Sequence, residues 1–152
     1  MTAHQPLGRF LMETGYIDAA QLASALAYQQ QWGGRLGEAL VTLRILPEPV
    51  LLDGLARMHR VPYVEIGERV VPGEVVRLVP ERIIRARKVF PLALIADRAQ
   101  VALMVATGTP HDLEALGEIE FSAGRAVRPV LAADRDIARA IDRHLGARPT
   151  DC

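Results

Sequence analysis

The side chains that could do chemistry in this sequence are mostly isolated ones. His4, His59, His111 and His144 lie far apart, with no His-x-x-x-His or His/Cys spacing, so no metal site is expected. The serines are Ser24 and Ser122, and neither sits in the Gly-x-Ser-x-Gly elbow that presents a nucleophile. Lys88 follows Arg87 rather than a glycine, and no Gly-x-x-x-x-Gly-Lys-Ser/Thr loop is present to cradle a phosphate. The chain is therefore expected to be neither an ATPase nor an enzyme of another kind. Asp134 and Asp136 stand close enough to suggest paired acids, but read better as a helix cap and a first-turn carboxylate favoured by the helix dipole. Arg82, Arg85, Arg87 and Lys88 read as a solvated helix face, and Trp32, beside Gly33-Gly34, as a core or inter-domain anchor.

One pattern is not isolated. An offset of 29 residues lays Leu7-Gly8 on Leu36-Gly37, Leu11-Met12 on Leu40-Val41, Tyr16-Ile17 on Ile45-Leu46, Leu22 on Leu51 and Leu26 on Leu55. Each copy is a short helix led by Leu-Gly, followed by a longer one with leucines a turn apart. Glycine lets another group approach the backbone, and leucines a turn apart give an apolar wall. By spacing alone these leucines would be core; it is their tandem recurrence that points to two similar half-sites.

The elements that must position these residues follow from composition and periodicity. The 152 residues carry eighteen basic and eighteen acidic side chains, so no electrostatic case exists for DNA, RNA or an anionic membrane. Half the chain is hydrophobic, yet aromatics are only 5%, so the core must be aliphatic. No apolar run approaches the ~18 residues of a membrane span, and the start of the chain has no signal-peptide core. Cys152, the single cysteine, rules out an internal disulfide framework and fits a cytoplasmic location.

Helices are predicted over 7–14, 18–31 and 35–43, with another beginning around Pro47 to Pro49 and ending at Pro62. Asp18 and Gln21 form a capping box for the second of these. Beyond residue 62 the periods mix. Short helices are predicted to carry Pro72 and Pro80 in their first turns, and strands to run over 89–95 and 100–105 around a turn at 96–99. A helix led by Asp112, a strand over 127–131, and a last helix capped by Asp134 complete the order. The predicted fold class is α+β: an all-helical tandem repeat over 1–60, then a small α/β module over 61–146 with a roughly three-stranded, mainly antiparallel sheet, and a flexible tail over 147–152.

These motifs resemble the MshEN family, the N-terminal domain of type II secretion and type IV pilus assembly ATPases. The family's motif runs Arg-Leu-Gly, paired aliphatics, a glycine, two more aliphatics, two leucines four apart, and a glutamine. Leu7-Gly8, Leu11-Met12, Gly15, Tyr16-Ile17, Leu22, Leu26 and Gln29 fit the first copy; Arg35-Leu36-Gly37, Leu40-Val41, Ile45-Leu46, Leu51 and Leu55 fit the second. Val61-Pro62-Tyr63-Val64, Leu78-Val79-Pro80-Glu81, Phe90-Pro91-Leu92, Asp112-Leu113-Glu114-Ala115-Leu116 and Val127-Arg128-Pro129-Val130 look like the family's second half.

The resemblance implies a non-catalytic regulatory module, without cofactor, whose ligand is cyclic di-GMP and whose partner is a secretion or pilus assembly ATPase or an inner-membrane platform protein. It implies that Arg35 reads guanine through the O6 and N7 acceptors. Gly8 and Gly37 would allow close approach, Leu7, Leu22, Leu26, Leu36, Leu51 and Leu55 would wall the site, and Gln29 would add a polar contact. The sequence departs from the motif at Pro6, where arginine is expected, at Arg44 in place of glycine, at Met58 in place of glutamine, and at Thr107-Gly108-Thr109-Pro110 where the family tends to have Asp-Pro. Pro6, Arg44 and Met58 favour a second reading, a protein-protein adaptor of the same machinery whose site no longer binds nucleotide.

Overall fold

Capping chemistry sets where the first helices begin and end. A computed structural model of the chain describes residues 5–146. Its first four helices are α1 (Gln5–Glu13), α2 (Ala19–Trp32), α3 (Leu36–Thr42) and α4 (Glu48–His59). Asp18 accepts the backbone N–H of Gln21 at 2.8 Å while its own N–H donates to the Gln21 side chain at 2.9 Å, closing the predicted capping box at the start of α2. The chain divides into two compact units, Met1–Arg60 and Val61–Cys152.

In the helical unit, Leu11, Leu36 and Leu40 are wholly buried, with Ile17, Ala25, Leu46 and Leu51 around them. Each buried leucine contributes about 1.5–3 kcal/mol of transfer free energy. Both α1 and α3 pack against both α2 and α4. Exchanging the two copies of the repeat therefore maps this set of helix contacts onto itself. Trp32 is not part of this core: it is 68% exposed at the end of α2, its ring beside that of Tyr28 one turn back.

The second unit comprises α5 (Gly73–Val76), α6 (Glu81–Arg87), β1 (Val89–Asp97), β2 (Gln100–Thr107), α7 (Leu113–Ala123), β3 (Val127–Leu131) and α8 (Asp134–Leu145). The class is α+β, as predicted. The sheet order is β1-β2-β3, antiparallel between β1 and β2 and parallel between β2 and β3, with α7 making the crossover. Asp97 pairs with Gln100, so the hairpin loop is only Arg98-Ala99, shorter than the predicted turn, and Arg98 takes φ +59° without the usual glycine. Residues 62–64 continue the sheet beside β3: Leu131 donates to Pro62 O at 2.8 Å and Val64 donates to Leu131 O at 2.9 Å. An edge that would otherwise invite pairing is thereby occupied. Phe90, Leu103, Val105, Ile84, Ile119 and Ile137 form the centre of this unit's aliphatic core.

Four local expectations are corrected here. Pro72 and Pro80 are the N-caps of α5 and α6 rather than first-turn residues. Asp134 does not cap α8; Ala133 holds the N-cap position, and the Asp134 carboxylate lies over Gly108, where a Cβ would collide with it. Tertiary space at a glycine overrides the local preference of Asp for its own helix end. The basic run is more than a solvated face. Arg85 donates to the α8 carbonyl of Leu145 at 3.2 Å and to Gly146 O at 2.8 Å, and Arg87 donates to Glu118 at 3.0 Å and Glu114 at 3.2 Å. These two arginines tie α6 to α8 and α7, and the two carboxylates push the Arg87 pKa further up. The predicted tail over 147–152, Cys152 included, lies outside the described residues, as do His4 and the Pro6 side chain.

Candidate functional site

The helical repeat recurs in the backbone hydrogen bonds. Leu11 O accepts the N–H groups of Tyr16 and Ile17 at 2.8 and 3.3 Å; 29 residues on, Leu40 O accepts those of Ile45 and Leu46 at 2.9 and 3.3 Å. Gly15 donates to Met12 O at 3.2 Å and Arg44 to Val41 O at 3.0 Å. Both residues are left-handed, at φ +85° and +59°. The glycine-to-arginine departure thus leaves the turn intact, with an arginine in a conformation that favours glycine.

The two motif glycines are buried, and their function in this fold is visible. A Cβ on Gly8 would stand 3.0 Å from Leu22 Cδ1 and 3.4 Å from Leu36 Cδ2; one on Gly37 would stand 3.0 Å from Leu51 Cδ2. In each copy the missing side chain is replaced by the leucine of the same copy, which lets α1 close on α2 and α3 on α4. Leu22 and Leu51 are thus the side chains that pack on these glycines. Leu36 and Leu51 are themselves core residues, 1% and 6% exposed. Leu7, Leu22, Leu26 and Leu55 are half-buried against the same cluster and so retain an accessible side.

The polar members lie at the junction of the copies. Gln29 donates from Nε2 to Gly34 O at 2.9 Å, bracing the Gly33-Gly34 turn that leads into α3. Arg35 follows as the N-cap residue of α3, its side chain 67% exposed, with Nε 3.6 Å from the Glu38 carboxylate. The structure thus brings Gln29 and Arg35 to one end of α2, and places Leu22 with Gly8 and Leu51 with Gly37.

Sequence reasoning missed Glu38 and a cluster joining the copies. The Tyr16 hydroxyl donates to Asp53 at 2.9 Å, and Asp53 lies 3.3 Å from Arg57 on α4. Burial first, and then this hydrogen bond, raise the Tyr16 pKa. Glu38 was legible as an acid three residues after Arg35 on a predicted helix; Tyr16 and Asp53, 37 residues apart, left no local signal. Among the described residues no three His, Cys, Asp or Glu side chains stand together for a metal ion, and no helix is long and apolar enough to cross a membrane.

Residues 59–151 match the MshEN domain. The chain is 30% identical over 138 residues to the type IV pilus assembly ATPase PilB of Myxococcus xanthus, and 28% identical over 138 residues to PilB of Thermus thermophilus. Each match covers 91% of this chain, but only 24% and 15% of the respective relative, so the chain spans a quarter or less of their length. Among solved structures it is similar to MshE with cdg, that is, cyclic di-GMP, at 29% identity and a TM-score of 0.77, covering 91% of this chain and 97% of that one. The N-terminal domain of XpsE shares the fold, with a TM-score of 0.62 at 19% identity over 94% of this chain and 96% of that one. The domain match spans the second unit, and the longer similarities also take in the helical repeat; the chain belongs to the MshEN domain family.

Proposed function

We propose that this chain is a non-catalytic regulatory module that binds cyclic di-GMP on its helical unit and passes that state to a secretion or pilus assembly ATPase or its inner-membrane platform protein, on the cytoplasmic side. The observation that carries the reading is the 29-residue recurrence, which extends from residue types to hydrogen bonds and to the Gly8–Leu22 and Gly37–Leu51 contacts. A ligand with two equivalent guanosine halves suits two equivalent protein halves. Arg35 reads a guanine edge, the accessible sides of Leu7, Leu22, Leu26 and Leu55 wall the bases and riboses, and Gln29 holds the turn that presents Arg35. Gly8, Gly37, Leu36 and Leu51 support the wall from within the core rather than by touching the ligand. The similarity to MshE with cyclic di-GMP supports the same reading.

Calorimetric titration of the 152-residue chain with cyclic di-GMP tests it. Heat and a thermal shift are expected, with Arg35→Ala weakening binding far more than Arg44→Ala; no heat and no shift at high micromolar ligand would sink the proposal. The second reading, an adaptor with a decayed nucleotide site, is favoured by Pro6 and Met58 in place of motif residues. It expects capture of the ATPase or platform protein to be indifferent to nucleotide.

A further inference from the structure

Resting on that reading of the helical unit, we infer that Arg9 supplies the guanidinium of the first half-site, where the motif arginine is replaced by Pro6. The 29-residue offset lays Arg9 on Glu38. Glu38 shows where a side chain at that helical position reaches: its carboxylate lies 3.6 Å from Arg35 Nε, beside the guanidinium that serves the second half-site. From the Leu-Gly step onward, α1 and α3 share their glycine contacts and their terminal hydrogen bonds, so Arg9 stands to Leu7-Gly8 as Glu38 stands to Leu36-Gly37. An arginine there is longer than a glutamate and extends into the same region, one helical turn from the residue it replaces.

The charge pattern agrees. Arg9 is exposed, and among the described residues no acid pairs with it, whereas Arg35 is held by Glu38. Among the described residues the first copy thus offers a planar fork with no acidic partner, matched to the O6 and N7 acceptors of guanine. The two half-sites would each hold one arginine, at repeat positions three residues apart, and the ligand would be bound asymmetrically although its own halves are identical.

The test is titration of the whole chain with cyclic di-GMP and, for base selectivity, cyclic di-AMP, which shares the phosphodiester ring but presents an amino donor where guanine has O6. Arg9→Ala is expected to weaken cyclic di-GMP binding roughly ten- to hundredfold and to erode the preference over cyclic di-AMP, with an unchanged thermal midpoint because the residue is exposed. Adding Pro6→Arg to Arg9→Ala should restore affinity. If the unmodified chain binds and Arg9→Ala binds equally well, the inference fails while the functional reading stands. Equal loss of both dinucleotides also overturns it, since Arg9 would then be meeting phosphate and not guanine. An unmodified chain that binds no cyclic di-GMP overturns the functional reading itself.

Discussion

Gly15 and Arg44 occupy the same left-handed turn in the two copies of the helical repeat, but only the first is the residue that such a turn favours. Elsewhere the copies diverge further. The longer helix starts at a full capping box on Asp18 in one and at Pro47, with no side-chain bond, in the other. Tyr16 hydrogen-bonds across to Asp53, whereas its counterpart Ile45 has only apolar atoms to offer. What persists is the carbonyl of Leu11 or Leu40 taking two N–H groups, and a leucine seated on a glycine. The shared backbone is thus enforced by a few buried contacts, which leaves the polar positions free to diverge and to carry unequal binding chemistry.

The sharpest way to break this equivalence is to empty its two centres. Leu11→Ala and Leu40→Ala, at residues with no exposed surface, should each cost about 2–5 kcal/mol in urea unfolding; a loss at either well below that range would break the equivalence of the two positions. Overpacking should cost both copies next. Gly37→Val drives its added carbons into buried Leu51, and Gly8→Val into half-buried Leu22 and buried Leu36, and each should cost about 1–3 kcal/mol. The turns should respond with opposite signs: Gly15→Ala loses roughly 1–2 kcal/mol, whereas Arg44→Gly is neutral or gains up to about 1 kcal/mol as backbone strain is relieved.

Tyr16→Phe should lose about 0.5–1.5 kcal/mol, for the hydrogen bond to Asp53. Its pH dependence has a definite sign. The Tyr16 pKa is raised above its ordinary 10.0 in the folded chain, so the associated stability is fully present below that value and is lost as pH rises through the folded-state one. Thermal midpoints of the unmodified chain should fall on this alkaline arm more steeply than those of Tyr16→Phe; parallel curves would remove Tyr16 from the account.

Features determined within a few residues were readable from the sequence. The Asp18–Gln21 box and the limits of β3 follow from local chemistry and were read correctly. The misreadings concern residues whose role is set by distant partners. Asp134 has the right chemistry for a cap but is drawn over Gly108, 26 positions earlier in the chain. Arg85 and Arg87 look like solvent-facing charges until α8 and α7 are brought against them. At the candidate site the recurrence was legible and the leucine seated on each glycine was not, because a packing contact and a ligand contact call for the same small residue at position 8. The paired segment at 62–64 had no strand signal of its own and exists because β3 presents an open ladder.

The helix contacts of the first unit map onto themselves when its copies are exchanged, and that has an assembly consequence. Such an arrangement has the contact pattern of a two-fold dimer of a two-helix unit, carried on one chain. The Gly33-Gly34 segment is then a tether, turning an association that would depend on protein concentration into an intramolecular one. Once tethered, the two protomers no longer need identical sequences, and a point change in one is not forced upon the other. A symmetric ligand can therefore be met by an interface free to become asymmetric.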